Sequence, residues 1–235
     1  MSAMPETVTA RVASVRERVA RAAAAAGRTP GDIEMIAVTK SVAIPAMREA
    51  AAAGIAAFGE NRVQEFMAKA DLFLEINWHI IGHLQSNKVK YIIGRCALVH
   101  SVDRESLAAE IDRRCRAQGI AQPVLVEVNI GREPQKSGVM PDALWALLDS
   151  MLAMPGISVR GLMAIPPMGE PARPWFARMR QLMDEAKRRY PQVGLTTLSM
   201  GMSADFEQAI AEGATMIRVG SALFGPRAPQ AVREG

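Results

Sequence analysis

Short apolar segments alternate with amphipathic segments along almost the whole chain. Residues 5–26 carry valine and alanine at three- and four-residue steps, which predicts one amphipathic helix that ends at Gly27. Eight apolar runs typical of strands follow, at 33–38, 55–58, 78–81, 97–100, 124–128, 159–163, 195–199 and 215–219. Between them lie segments with helical periodicity, at 45–53, 61–73, 87–92, 104–118, 141–154, 174–189 and 205–211.

A strand–helix alternation of this kind, with strands too apolar to face water, predicts a parallel sheet covered by helices. Eight units in this length favour a closed (β/α)8 TIM barrel over an open doubly wound sheet. No linker or low-complexity tract divides the chain, so we expect residues 1–235 to form a single domain. In that domain an extra N-terminal helix (1–30) packs on the barrel, and residues 226–235 form a tail.

Composition narrows the class of protein. Of the 235 residues, 49% are hydrophobic and 22% charged, as in globular proteins with a full core. Cys96 and Cys115 are the only cysteines, which argues against a secreted disulfide scaffold and a cysteine-built zinc site, although the two could pair if they met in space. No signal peptide or membrane-length apolar segment is found, so we expect a cytoplasmic protein without a membrane partner.

The net charge of +4 is spread thinly, and its arginine and lysine clusters fall in predicted helices. With only 5% aromatic residues there is little to stack on bases, so we expect no nucleic-acid partner. A small phosphorylated ligand would suit this charge.

In a (β/α)8 barrel, functional groups collect at the carboxyl ends of the strands, so each strand end is a candidate site. The first strand ends in Val-Thr-Lys, which places Lys40 at that rim. Apolar surroundings disfavour a charged amine and free it to attack a carbonyl, as in a Schiff base. An ordinary rim lysine in an ion pair explains this stretch equally well, and both interpretations stay open here.

The second and third strand ends carry weaker signals. Glu60 or Asn61 could simply cap the helix that follows the second strand. His79 and His83 have the four-residue spacing of a helical metal pair, but a strand-like sequence and Gly82 lie between them. We therefore predict hydrogen bonding at this strand end rather than a metal site.

The fifth and sixth strands lead into loops that could line the barrel mouth. Glu127 and Asn129 begin a long polar loop, a type of segment that often carries function on a barrel rim. Pro166 and Pro167 stiffen the exit from the sixth strand and would form a rigid wall.

The seventh and eighth strands carry the strongest local signal. Each runs through glycine into a helix start that bears serine: one helix opens at Ser203–Asp205 and the other at Gly220–Ser221. Free backbone N–H groups and the dipole at such helix starts bind anions, and these two loops frequently hold phosphate in barrels. Serine is also a common N-cap for reasons of helix stability alone, but two adjacent starts of this kind favour a phosphate site.

A lysine that faces a phosphate site across a barrel mouth suits pyridoxal 5′-phosphate (PLP). Lys40 would form the imine with the aldehyde, while the phosphate anchors the other end. Arg218, just before the phosphate site, could meet the pyridine nitrogen. A cation there would keep that nitrogen unprotonated and weaken the ring as an electron sink.

Six stretches of this sequence resemble the YggS/PROSC-type pyridoxal-phosphate homeostasis proteins. They run from about residue 37 to 225 and read AVTKSV, FGENRVQE, WHIIGHLQSNK, GLMAIPP, LSMGMSADF and IRVGSALFG. The resemblance implies a single barrel like the N-terminal domain of alanine racemase, with PLP at its mouth. It implies the following cofactor-binding residues: Lys40 as the Schiff-base lysine, Asn61, Met200, Ser203, Arg218, Gly220 and Ser221.

This sequence departs from the family pattern at two places. Ser221 stands where many members carry threonine, and either hydroxyl can donate a hydrogen bond. The loop NIGREPQKSG differs from the commoner form, which leaves the roles of Arg132 to Lys136 open.

The resemblance implies a protein of vitamin B6 balance that holds PLP without a demonstrated reaction. A racemase needs a second base, which alanine racemase supplies as a tyrosine from another domain. Tyr91 and Tyr190, the only tyrosines here, fall in or at the end of predicted helices, and we expect no second domain. The rival hypotheses are a PLP-dependent amino-acid racemase or decarboxylase of this barrel type, and a Schiff-base aldolase without cofactor. We expect a monomer whose partners are PLP and PLP-dependent apo-enzymes.

Overall fold

The computed structural model describes residues 6–226, and within them eight parallel strands close into a barrel in sequence order. The strands are β1 (Glu34–Val38), β2 (Ala57–Glu60), β3 (Asn77–Ile80), β4 (Leu98–Val102), β5 (Gln122–Glu127), β6 (Ile157–Met163), β7 (Thr197–Ser199) and β8 (Met216–Val219). β8 pairs with β1 from Glu34–Met216 to Ala37–Val219, which closes the sheet. The predicted TIM barrel is confirmed.

Helices surround this sheet. They are α1 (Val8–Ala25), α2 (Ile44–Ala52), α3 (Val63–Lys69), α4 (Glu105–Arg116), α5 (Leu144–Leu152), α6 (Ala172–Arg189), α7 (Phe206–Ala211) and α8 (Ser221–Phe224). The segment between β3 and β4 forms a 3-10 helix, Ser86–Tyr91, in place of an α-helix. None of the described helices is long and apolar enough to cross a membrane. The predicted tail lies almost wholly outside the described residues.

The core has two layers because successive side chains of a strand face opposite sides of the sheet. One small apolar cluster fills the inside of the barrel: Ile36, Ala57, Leu98, Leu125, Met163 and Met216. A much larger cluster packs between the sheet and the helices. Branched apolar side chains inside a barrel make it a packed core rather than a pore.

The extra N-terminal helix is part of the larger core. Thr7 caps α1 by accepting a hydrogen bond from the Ala10 backbone N–H, and the apolar stripe of the helix turns inward. Val12, Val15 and Val19 are buried by packing of α1 on α2, α7 and α8. α1 therefore covers the place where the last barrel unit meets the first.

We predict that Val15→Ala lowers the free energy of unfolding by about 2–3 kcal/mol, since it removes two buried methyl groups and leaves a cavity. Val15 is 2% exposed. Ser14→Ala, on the solvent side of the same helix, is the matched control and should change stability by less than about 0.5 kcal/mol. Urea unfolding of both variants makes the comparison, and equal stability of the two would show that α1 does not contribute to the core.

Candidate functional site

A cavity of about 510 Å³ opens at the carboxyl ends of the strands. It brings together five of the seven predicted site residues: Asn61, Ser203, Arg218, Gly220 and Ser221. Five further residues complete its lining: Val38, Ile81, Ile165, Met202 and Ala204. A second cavity of similar size lies beside α1 and the amino end of β1, away from the predicted residues.

The wall formed by the loops after β7 and β8 is rich in hydrogen-bond donors. Ser203 Oγ joins the two loops by accepting from the backbone N–H groups of Gly220 (3.1 Å) and Ala222 (3.2 Å). Within residues 6–226, no acceptor is found for the backbone N–H groups of Ser203, Ala204 and Ser221. Unpaired N–H groups that line a cavity form an anion-binding wall.

The helix dipole contributes less to this wall than the sequence suggests. α7 has six residues and begins after Asp205, whose Oδ1 accepts from the backbone N–H of Met202 at 2.6 Å. α8 has four residues. So few peptide units give a weak macrodipole, and the individual N–H groups and hydroxyls carry the anion-binding character.

Two glycines permit the close packing of the loops at this mouth. Gly201 has φ +92°, and a Cβ there would lie 2.6 Å from Ala209 Cβ. A Cβ on Gly82 would lie 2.5 Å from the backbone oxygen of Asn61. Larger residues at either position would push apart the loops that line the cavity.

Arg218 is 3% exposed and reaches the cavity from β8. Its Nη1 donates to Ser199 Oγ at 2.6 Å and its Nη2 donates to the Ala164 carbonyl at 3.0 Å. Burial lowers the pKa of Arg218 to about 10, while the charges of Glu127 and Asp205 act to raise it. The guanidinium is therefore a fixed cation at neutral pH.

A chain of buried polar side chains runs from Arg218 down the inside of the barrel. Ser199 Oγ lies 3.0 Å from His100 Nδ1, and His100 Nε2 lies 2.9 Å from His79 Nδ1. His79 Nε2 lies 3.8 Å from Glu34 Oε1 at the opposite end.

The direction of this chain follows from Arg218, which can only donate. Ser199 accepts from it, and the serine hydroxyl hydrogen is satisfied if it points to His100 Nδ1. His100 then donates from Nε2 to His79. Burial lowers the pKa of His79 to about 4 and that of His100 well below its usual range, so both rings are neutral at physiological pH.

His79 and His83 do not converge, because His83 extends toward Asp103 instead (Nδ1–Oδ2 3.8 Å). No group of three or more potential metal-binding side chains occurs in the part of the chain that the structure describes. The prediction that His79 hydrogen-bonds is confirmed by its contact with His100.

Glu127 ends β5 and is 7% exposed. Its Oε1 accepts from Ser137 Oγ at 2.9 Å, and its Oε2 has no partner within residues 6–226. Burial raises the pKa of Glu127 to about 6; the Ser137 hydrogen bond and the Arg218 charge act to lower it, and the Asp103 charge acts to raise it. This carboxyl therefore titrates near neutral pH below the barrel mouth.

Lys40 follows β1 at the rim and is half-buried. No hydrogen bond or ion pair of its side chain is found within residues 6–226; the buried ion pairs at this strand end belong to Lys69. Lys40 is not among the residues that line the cavity, although Val38 is. Thr39 between them turns outward to bond Glu60, so alternation along the strand places Val38 and Lys40 on the same side.

Asn61 and Met200 differ from what their sequence neighbourhoods suggest. The N-cap of α3 is Arg62, which makes no side-chain capping bond, so Asn61 is not used as a cap and lines the cavity. Met200 is fully buried in the core outside the sheet, and Met202 is the methionine at the cavity. Sequence reasoning missed Val38, Ile81, Ile165, Met202 and Ala204, but all of them lie at or just after a strand end.

A family model and several curated proteins match this chain over most of its length. Residues 11–228 match the family model of the alanine racemase N-terminal domain. The pyridoxal phosphate homeostasis protein of Aquifex aeolicus is 46% identical over 222 residues, which cover 92% of this chain and 97% of the relative. The protein of the same name from Pseudomonas aeruginosa is 44% identical over 226 residues, which cover 94% and 96%.

Solved structures share the fold of this chain. PipY from Synechococcus elongatus, solved with PLP bound, has a TM-score of 0.82 and 38% identity, covering 93% of this chain and 100% of PipY. An alanine racemase from Clostridium difficile has a TM-score of 0.74 at 14% identity, covering 94% of this chain and 58% of the racemase, a similarity of fold alone.

We predict that Glu127→Gln raises the free energy of unfolding by about 2 kcal/mol at pH 7.5 and has little effect at pH 4. A carboxyl whose pKa rises from 4.5 to about 6 on folding contributes stability that is fully present below pH 4.5 and is lost as the pH rises through 6. Glutamine has no proton to lose. His79 and His100 make the same pH-dependent contribution to the free energy of unfolding in wild type and variant, so it cancels when the two proteins are compared. Urea unfolding across this pH range measures it, and a difference that does not vary with pH would contradict the assignment.

Proposed function

This chain belongs to the family of pyridoxal phosphate homeostasis proteins, and from that premise we propose that it binds PLP at the barrel mouth and takes part in intracellular vitamin B6 balance. The resemblance drawn from the six sequence stretches is confirmed by the 46% identical relative. The observation that carries the proposal is the donor wall of the cavity. There the N–H groups of Ser203, Ala204 and Ser221, which have no acceptor within residues 6–226, lie near a buried arginine.

The residues present suit each part of the cofactor. The N–H groups and hydroxyls of Ser203 and Ser221, with Gly220 between the loops, would hold the phosphate. Asn61 would line the ring pocket, and Met200 would support this wall from the core. Arg218, held by Ser199 and Ala164, would face the pyridine nitrogen as a fixed donor.

Lys40 is the residue proposed to bond the cofactor covalently. Its amine would join the PLP aldehyde as a Schiff base with loss of water, and an amine without an ion-pair partner among residues 6–226 is suited to that attack. When bound, PLP supplies an electron sink for carbanion chemistry. Arg218 would weaken that sink, because a guanidinium cannot give the pyridine nitrogen a proton at neutral pH.

We propose that the protein carries PLP and does not catalyse a reaction with it. Tyr190 donates to Asp149 Oδ1 at 2.7 Å, and Tyr91 lies beside Lys90; neither lines the cavity. No tyrosine of this chain therefore stands ready as the second base of a racemase. The names of the relatives support the same role.

We also propose that the protein delivers PLP to PLP-dependent apo-enzymes, that it is a monomer and that it is cytoplasmic. Cys96 and Cys115 are both buried free thiols, which suits a reducing compartment.

We predict that the wild-type protein with PLP shows an imine absorbance band near the visible edge and that Lys40→Ala loses it. Only an amine at the cofactor's aldehyde end forms the imine. Lys187→Ala, on the outer helix α6, is the control and should keep the band. A colourless wild type would favour the cofactor-free aldolase, and a full band in Lys40→Ala would contradict the assignment of this lysine.

The carrier role makes a separate prediction about amino acids. The PLP-loaded protein should turn over none of the proteinogenic amino acids, since no tyrosine, histidine, cysteine or carboxylate is among the described residues that line the cavity. Chiral chromatography after long incubation detects racemisation, and mass spectrometry detects decarboxylation. Turnover that disappears in Lys40→Ala would establish the racemase or decarboxylase alternative.

A further inference from the structure

A buried ammonium group lies directly behind the strand end that carries Lys40. Lys69, the last residue of α3, is 9% exposed, and its Nζ donates three hydrogen bonds. The acceptors are the Thr39 carbonyl (2.9 Å), Glu60 Oε1 (2.8 Å) and Glu65 Oε2 (2.9 Å). All three ammonium hydrogens are therefore used.

These contacts fix the backbone on both sides of Lys40. On one side, the Thr39 carbonyl accepts from Lys69 and the Thr39 hydroxyl donates to Glu60 Oε1 at 2.6 Å. On the other side, the Ser41 backbone N–H donates to Glu65 Oε2 at 2.8 Å.

The backbone of Ser41 needs such an anchor. Its φ is +57°, a left-handed conformation that is uncommon for residues other than glycine and that persists only where the surroundings determine it. The hydrogen bond to Glu65 holds this conformation, and Lys69 in turn holds Glu65. The direction in which Lys40 leaves the strand thus depends on α3.

We propose that Lys69, Glu60 and Glu65 form a clamp that positions Lys40 for covalent attachment of PLP. The proposal rests on the function proposed above and assigns these three as positioning residues, since Lys69 holds the Thr39 carbonyl and Glu65 holds the Ser41 N–H. Because the backbone is fixed on both sides of Lys40, its side chain can be positioned without a hydrogen bond or ion pair of its own.

Burial makes a purely stabilising role a poor explanation for the clamp. Glu60 is fully buried, and this burial raises its pKa although Lys69 and Thr39 both donate to Oε1. Its Oε2 has no hydrogen-bond partner within residues 6–226. Buried ion pairs of this kind add little net stability compared with apolar residues of the same volume. A compact donor with three hydrogens suits three acceptors around one point, whereas a planar guanidinium would not.

The clamp also separates the two lysines at this site by their chemistry. Lys69 carries a fully hydrogen-bonded ammonium and cannot attack an aldehyde without leaving three acceptors unpaired. Lys40 has no such partner among the described residues. The clamp therefore leaves Lys40, and not Lys69, as the amine available to the cofactor.

Glu65→Ala tests the clamp with the smallest disturbance, because the Glu65 side chain is 23% exposed. This variant frees the Ser41 N–H and so loosens the backbone beside Lys40. The dissociation constant for PLP should therefore rise on the order of 10- to 100-fold. An absorbance titration of the imine band measures it. Glu65→Gln keeps an oxygen that can accept from Ser41 and should restore binding to within about 3-fold of wild type, a rescue that general loss of stability would not give.

The double variant Lys69→Met with Glu60→Gln removes the central charges without leaving Glu60 ionised and unpaired. It should weaken PLP binding as much as Glu65→Ala does. The control is Glu212→Ala at the end of α7, which removes a carboxylate that accepts a hydrogen bond from Arg173 (2.8 Å) and forms an ion pair with Arg180 (2.9 Å). It should lower the melting temperature without changing PLP affinity more than about 2-fold.

Three outcomes decide between the hypotheses. The clamp is supported if Glu65→Ala and the double variant both bind PLP more weakly than wild type. Glu65→Gln must then restore binding, and Glu212→Ala must keep the wild-type affinity. Folded Glu65→Ala with wild-type affinity, or equal loss of affinity in Glu212→Ala, overturns it. If the wild-type protein forms no imine at Lys40, the proposed function itself is wrong. The titration of the wild type shows this before any variant is compared.

Discussion

Closure of the parallel sheet is the constraint on which the site depends. Because the eight strands are parallel, their carboxyl ends lie at one mouth, and the pairing of β8 with β1 closes the ring. Residues as distant in sequence as Val38, Ile81 and Arg218 therefore line one cavity. The apolar layer around Ile36 and Leu125 closes the barrel below that mouth. Loops after β7 and β8 can then present free N–H groups without losing their support, because the strands beneath them are fixed.

A polar column inside this otherwise apolar barrel sets the chemistry of the site. Arg218 is a buried cation whose hydrogens are directed to Ser199 and the Ala164 carbonyl, and two neutral histidines continue the chain. A guanidinium that is fixed in this way can donate to a pyridine nitrogen but cannot protonate it. The same residue that would orient the cofactor would therefore reduce its power as an electron sink.

Periodicity predicts the fold of this chain well because its strands are apolar and its helices amphipathic. β2 is the instructive error: the pattern ends it at residue 58, while the structure extends it through Gly59 and Glu60. Gly59 faces the barrel, where a Cβ would lie 2.8 Å from Ile36 Cγ2, and Glu60 faces Lys69. Both residues are poor strand formers in isolation, and tertiary contacts decide their conformation.

The candidate site is only partly readable from the sequence. Strand-end glycines and serines locate the loops of Ser203 and Ser221, since their chemistry is local. His100 and Ser199 sit in ordinary strand patterns, and only barrel closure brings them together. The spacing of Glu65 and Lys69 is that of a helical ion pair, but their contacts with Ser41 and Thr39 depend on how α3 packs on the sheet.

Borohydride reduction of the PLP-loaded wild-type protein, followed by peptide mapping, tests the central claim most directly. Borohydride supplies hydride to the imine carbon and converts the C=N bond into a stable secondary amine, so the modified lysine records where the cofactor was bound. We expect the phosphopyridoxyl group on Lys40, and we expect Lys69, with its three acceptors, to remain unmodified. A label on Lys69 or on any lysine other than Lys40 would contradict this expectation.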